Sequence, residues 1–475
     1  MNAMKRRIVV LLVLLALALA ACGGGQEQEP AAEAPAAQPT EAIAEMEPTA
    51  MATEMVAETM DEPTAEATAM MDEPTAEATE MMMDEPTAEA TEMAMTDADM
   101  AVDPLMLDGS AAGLRVALNR LLGEHLLLAA SATNAALDGR TADYDAAAAA
   151  LDENSVDLTS AITAVYGEDA GASFLEQWRE HIGFFVDYTV ATAAGDSAGQ
   201  QAAADALAAY TTSFAEFLAG ATELPAEALE ANLQMHVAGL TAVIDAQAAG
   251  DETAYYTALH EAYVHMASTA EALSGGIAAQ QPDMFAGDGM SSAAGLRVAL
   301  NNLLGEHLFL AGAATDEALN GNTPGFEAAA AALDENSVAL ADAITSVYGQ
   351  EAGDEFLAQW RAHIGFLVDY TTATAAGDEA GQTAAGEALS GYITDFAAFL
   401  AGATGLPAEA LEAGLQEHVA GLTAIVNAQA AEDAPTAYSE VRMAYLHMQA
   451  LGDALSGAIA GQFPEMFPME GMAEG

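Results

Sequence analysis

Histidines set at one repeated distance from turn residues are the chemically telling feature of this chain. His125, His181 and His236 each stand 14 residues before a glycine (Gly139, Gly195, Gly250), and Asn154, Tyr210 and His265 stand 15 residues after those glycines. If each glycine turns the chain between two helices, the flanking residues meet at one height, about 21 Å from the tip at about 1.5 Å of rise per residue. The arrangement returns as His307/Asn336, His363/Tyr392 and His418/His447, with Glu432 where the last glycine would stand. Leu122, Trp178 and Leu233 lie three residues before the leading histidines and put them on core-facing stripes. Burial there lowers an imidazole's pKa, leaving it neutral and ready to bond or to ligate.

Two chemistries fit those residues. His125, His181, His236 and His265, with His307, His363, His418 and His447 in the second set, are of the right type to hold copper or zinc. The other reading is a buried hydrogen-bond network, in which Asn154, Tyr210, Asn336 and Tyr392 satisfy the histidines and fix the register of the helices. His260 belongs to the structural class, because Arg442 takes its place in the second set. No core histidine follows a glutamate by three residues as in di-iron helices, and His-Glu-x-x-His is absent. Neither a phosphate loop, a dinucleotide glycine pattern nor a Ser-His-Asp order is legible, so the expectation is a binding protein and no enzyme.

The elements that must position these residues are helices, written twice. "AAGLRVALNRLLGEHLLLA" at 111–129 returns as "AAGLRVALNNLLGEHLFLA" at 293–311, and Arg115 through His265 matches Arg297 through His447 at a gapless offset of 182. Apolar side chains recur at steps of three and four, as in Phe174, Trp178, His181, Phe185 and Tyr188, and no stretch alternates like a strand. The fold expected is all-α: two tandem domains of six helices, each built of three antiparallel hairpins, over 109–286 and 291–470. Each copy contains every hairpin, so independent folding is expected, with 280–292 as the joint.

The N-terminal part reads differently. Lys5, Arg6 and Arg7 precede a 13-residue apolar run, too short to span a bilayer, and "LAAC" at 19–22 resembles the lipobox of bacterial lipoproteins. That resemblance implies a signal peptide over 1–21 and an acylated Cys22, the only cysteine, as the anchor to a lipid bilayer on the extracytoplasmic face, periplasmic or cell surface. Residues 22–108 repeat "MDEPTAEAT" three times and hold 13 of the 24 methionines but no basic or aromatic side chain after Cys22, the composition of a disordered acidic tether. Thioethers suit Cu(I), which makes the methionines a second pointer to copper beside simple low-complexity drift.

Beyond Cys22 the chain has seven arginines and no lysine, against 73 acidic residues in all. Nothing is available to neutralise phosphates, which excludes nucleic acid as a partner. The partners that fit are a metal ion or an envelope protein, and the same charge draws cations.

"WREHIGFFVDYT" with "YVHMAST", and "WRAHIGFLVDYT" with "YLHMQAL", resemble an uncharacterised helical repeat of exported bacterial proteins, sometimes labelled copper amine oxidase-like. The resemblance spans both repeats and implies an extracytoplasmic helical module with a hint of copper. It does not extend to amine oxidase chemistry: those enzymes are mainly β and make a quinone from a tyrosine in an Asn-Tyr context, which is absent here. The function expected is therefore a membrane-anchored binding lipoprotein. Its histidines take copper or zinc, or else serve a structural or adhesive envelope protein.

Overall fold

The computed structural model describes residues 110–468, so the signal peptide expected over 1–21, Cys22 and the tether expected over 22–108 lie outside the described residues. The described chain is all-α. The first repeat comprises α1 (Ala111–Leu137), α2 (Thr141–Tyr166), α3 (Glu168–Ala194), α4 (Ser197–Thr222), α5 (Ala226–Ala249) and α6 (Glu252–Gln280). The second comprises α7 (Ser292–Leu319), α8 (Thr323–Tyr348), α9 (Gln350–Ala376), α10 (Glu379–Thr404), α11 (Ala408–Ala430) and α12 (Ala434–Gln462). An isolated parallel bridge between Ser110 and Ala286 ties the start of the first repeat to its end.

Gly-Asp dipeptides stop one helix and start the next. Gly195, Gly250 and Gly377 take left-handed φ values of 64°, 64° and 65°, which cost glycine little. The aspartate that follows each one caps the next helix, Asp196 accepting from the amides of Ala198 and Gly199, and Asp251 and Asp378 from those of Ala254 and Gly381. Glu432 stands in the glycine position of the last hairpin and adopts the same conformation, at φ 55°.

Within each repeat consecutive helices pack side by side, and the sixth returns to the first, closing the ring. The leading helices of the three hairpins also touch across the interior: α1, α3 and α5 in one repeat, α7, α9 and α11 in the other. These are the helices that carry His125, His181 and His236 and their counterparts. Three hairpins thus surround one axis, and the arrangement delivers three histidines to it.

The two repeats pack against each other within one compact unit. α1 lies against α7, α2 against α12, and α6 against α8. Leu121, Leu122, Leu126, Leu127 and Leu128 are all buried, although together they circle α1. A helix apolar on every side needs partners on every side, and here the outer ones come from the other repeat. The contact is two-fold in pattern. Tyr263 and Tyr445, equivalent residues, meet hydroxyl to hydroxyl at 3.0 Å, and Asn119 donates to Asn302 at 2.6 Å. Gly123 and Gly305 let the tyrosine rings through, since a Cβ would come within 2.8 Å of Tyr263 at the first and 2.6 Å of Tyr445 at the second.

Two buried carboxylates cross this junction. Glu124 accepts from Arg442 Nε at 2.9 Å and from Asn154 Nδ2 at 2.7 Å, while Arg442 also reaches Glu153 and Asp157. Glu306, the equivalent residue, pairs with His260 Nδ1 at 2.6 Å and accepts from Asn336 Nδ2 at 2.9 Å. Each carboxylate is therefore met by a cation from the opposite repeat, Arg442 in one case and His260 in the other.

Candidate metal centre

His125, His181 and His236 converge inside the first repeat, each offering a ring nitrogen within 4.8 Å of the others. His307, His363 and His418 do the same inside the second. All six are at most 7 % exposed. The ring centroids lie 5.5, 6.1 and 6.4 Å apart in the first triad and 5.4, 6.0 and 6.3 Å apart in the second. The two copies share one geometry.

An aromatic collar holds each triad. Trp178 sits 4.7 Å from His125 and 4.6 Å from His181 between ring centroids, and Tyr210 stacks on His181 at 5.2 Å with its plane inclined 19°. Trp360 and Tyr392 repeat these contacts on His307 and His363. The collar fixes ring orientation by packing and leaves the nitrogens to face inward.

Those nitrogens lack hydrogen-bond partners. Nδ1 of His125, His181 and His363, and both ring nitrogens of His236, His307 and His418, are buried and unpartnered. The Trp178 and Trp360 indole N–H groups and the Tyr210 hydroxyl are orphaned as well. An unsatisfied buried polar group costs about 1–3 kcal/mol, so a cluster of them marks a place meant to contact something else.

Burial also sets the protonation state. It pushes the pKa of His181 and His363 down to about 3 and that of His236 and His418 down to about 4. Desolvation holds His125 and His307 well below the usual imidazole value, with the neighbouring histidines adding to the effect. The carbonyls of Trp178 and Gln177 oppose the shift of His181 without meeting its Nδ1 in hydrogen-bond geometry. Neutral imidazoles present free lone pairs, the form that binds metal.

The remaining sequence candidates fall elsewhere. His265 donates from Nε2 to the Asn232 carbonyl at 3.0 Å, and His447 likewise to the Gly414 carbonyl at 2.8 Å, both half-buried at the edge of their bundles. They flank the triads, depressing the pKa of His236 and His418, but are not members of them. Asn154 and Asn336 turn to Glu124 and Glu306 and to the carbonyls of Leu121 and Leu303. Hairpin spacing alone places all of these at the same height as a histidine but cannot give their azimuth. Glu124 and Glu306 escaped the sequence reading, although a charged residue within "LLGEHLLL" is a signal that it has a buried partner.

A tetrahedral ion with ligand bonds of about 2.0–2.1 Å holds its nitrogens about 3.3 Å apart, so closing a triad onto one requires side-chain shifts of about 1.5 Å or less. Three neutral nitrogens in an apolar shell fit the group, with a fourth direction left for another donor. No family model, curated protein or solved structure matches the chain.

Proposed function

We propose that the protein binds transition metal, one ion in each histidine triad, and that copper as Cu(I) is the preferred ion. The observation that carries this reading is the convergence, in both repeats, of three buried neutral imidazoles, each with at least one buried ring nitrogen that has no hydrogen-bond partner. Ion charge decides between the metals. Neither triad group includes a carboxylate. The Born cost of burying an ion grows with the square of its charge, so a divalent ion pays about four times what a monovalent one does. Soft ligands point the same way: Met448 lines one cavity with His363 and His418, and a thioether suits Cu(I) and not Zn(II).

The setting we propose is the extracytoplasmic face of a membrane, reached through acylation of Cys22. The basic N-terminus, the apolar run and "LAAC" support it, and the formal charge of −63 draws cations towards the histidine domains. A purely structural role for the histidines is the competing reading. It gains nothing from Asn154 and Asn336, whose amides are engaged elsewhere.

The test is titration of the untagged protein with Cu(I) under reducing conditions, in competition with a chromogenic Cu(I) chelator, and separately with Zn(II). The reading expects two tightly held Cu(I) per chain and weaker Zn(II). Displacement of no Cu(I) from the chelator would dismiss it.

A further inference from the structure

The first repeat contains a cavity of about 280 Å³ between α1, α2 and α3, running from the α1–α2 turn at Gly139 inward to His125 and His181. Its walls are almost wholly apolar, with Ala129, Ala132, Ile182, Phe185 and Leu240 among them. Val190 sits at the mouth and is 61 % exposed. Two of the wall hydroxyls are engaged, Thr133 donating to the Ala130 carbonyl and Thr189 to that of Phe185, and the other two belong to Thr141 and Tyr144 in the first turn of α2. Among the lining residues, the buried side-chain atoms without a partner are Nδ1 of His125 and Nδ1 of His181, two side chains at most 2 % exposed. The second repeat differs, for the cavity beside its triad is about 50 Å³ and lies among α7–α12 residues such as Leu304, Phe396 and Met448.

We infer that the first repeat binds a small, neutral, largely apolar organic molecule in this cavity, with a single hydroxyl or amine of the ligand bonded to His125 or His181. Size sets the ligand class, since a dry apolar cavity of about 150 Å³ already accepts benzene. Roughly twice that space admits a substituted ring or a short branched chain and excludes sugars, nucleotides and peptides. Charge is excluded as well, because no ionised side chain lines the wall to offset its desolvation. A single polar atom suffices to satisfy an orphaned histidine nitrogen. The inference concerns the metal-free protein, because His125 and His181 also belong to the triad that would hold the ion, and it needs only the cavity and an unpartnered nitrogen.

Each triad has its own tryptophan, so a Trp360→Phe chain reports on Trp178 alone, whose ring packs against both His125 and His181. The probe is benzyl alcohol, with toluene as the isostere lacking the hydroxyl, added to the full chain stripped of metal with chelator. Benzyl alcohol at millimolar concentration should shift Trp178 emission and raise the melting temperature, and toluene should bind at least fivefold more weakly. Ala132→Leu, which fills the cavity, and Val190→Phe, which closes its mouth, should each abolish the response while keeping the helical signal; two separate blocks guard against one failing to fold. No response to benzyl alcohol, an unchanged response in a folded blocked variant, or equal binding of toluene would each overturn the inference.

Discussion

The two repeats present the same triad in different surroundings, and their comparison separates what the architecture requires from what it tolerates. Histidine geometry, the tryptophan and tyrosine collar and the Glu–Asn pair beside each triad recur with nearly the same distances. The cation that crosses the junction does not recur, being Arg442 on Glu124 and His260 on Glu306. The third hairpin turns on Gly250 in one copy and on Glu432 in the other. Space beside the triad also changes side and size. What both copies keep is the cluster with unsatisfied nitrogens, although a structural core would be more stable without it.

The largest expected effect treats the repeats alike. All six triad histidines have folded pKa values depressed by burial, so the unfolded chain binds more protons than the folded one below pH 6.5. Stability is therefore full above the unfolded value and falls as pH drops. Each histidine should cost about 2 kcal/mol between pH 6.5 and 5. Six such losses rival the roughly 5–15 kcal/mol that holds an ordinary domain together. Metal-free protein followed by circular dichroism should lose its helices near pH 5; a fold that persists at pH 4 would show that the imidazoles are not buried neutral.

Breaking the junction should split the repeats apart in magnitude. Glu124→Ala leaves Arg442 its contacts to Glu153 and Asp157 but removes the buried acceptor of Arg442 Nε and of Asn154, and should cost about 1.5–3 kcal/mol at pH 6 or 8 in chemical denaturation. Glu306→Ala strands His260, which sheds its proton and faces solvent, and should cost only about 1–2 kcal/mol. Glu306 raises the pKa of His260 by direct hydrogen bonding, so that contribution is present below the unfolded value near 6.5 and is lost as pH rises through the folded one. The cost of Glu306→Ala should shrink between pH 6 and 8, whereas that of Glu124→Ala should not. Equal costs at both pH values would remove the distinction drawn between the two cations.

Why part of this was legible in the sequence and part was not follows from what spacing encodes. Six helices per repeat followed from the three- and four-residue apolar steps and the Gly-Asp turns, because those are local properties of the chain. The offset of 14 residues placed each histidine at a fixed height, and the structure keeps that height. Azimuth depends on how the hairpins close. His265 and Asn154 share the height of a triad histidine yet face, respectively, a backbone carbonyl and a buried glutamate. The junction was hidden for a different reason. Its signal was the leucines at 121, 122 and 126–128 around α1 and the glycine at 123, both of which also fit an ordinary core helix.

The smallest effect tests a turn where glutamate stands in for its counterpart's glycine. A left-handed conformation costs a residue with a Cβ about 1–2 kcal/mol, which glycine avoids at some entropic expense. Glu432→Gly should therefore stabilise the protein by about 0.5–1 kcal/mol, read as a rise in denaturation midpoint. Gly250→Glu should do the reverse by a similar amount. Opposite signs would mean that Glu432 makes a favourable contact that outweighs its backbone.

The central claim is that each triad holds one ion, and metal counting tests it most directly. Elemental analysis after dialysis against Cu(I) under reducing conditions should give two copper per chain for the unaltered protein. One should remain in His181→Phe and one in His363→Phe, and none in the double variant, with the helical signal intact in each. Two copper per chain retained by the folded double variant, or none bound by the unaltered chain, would contradict the account.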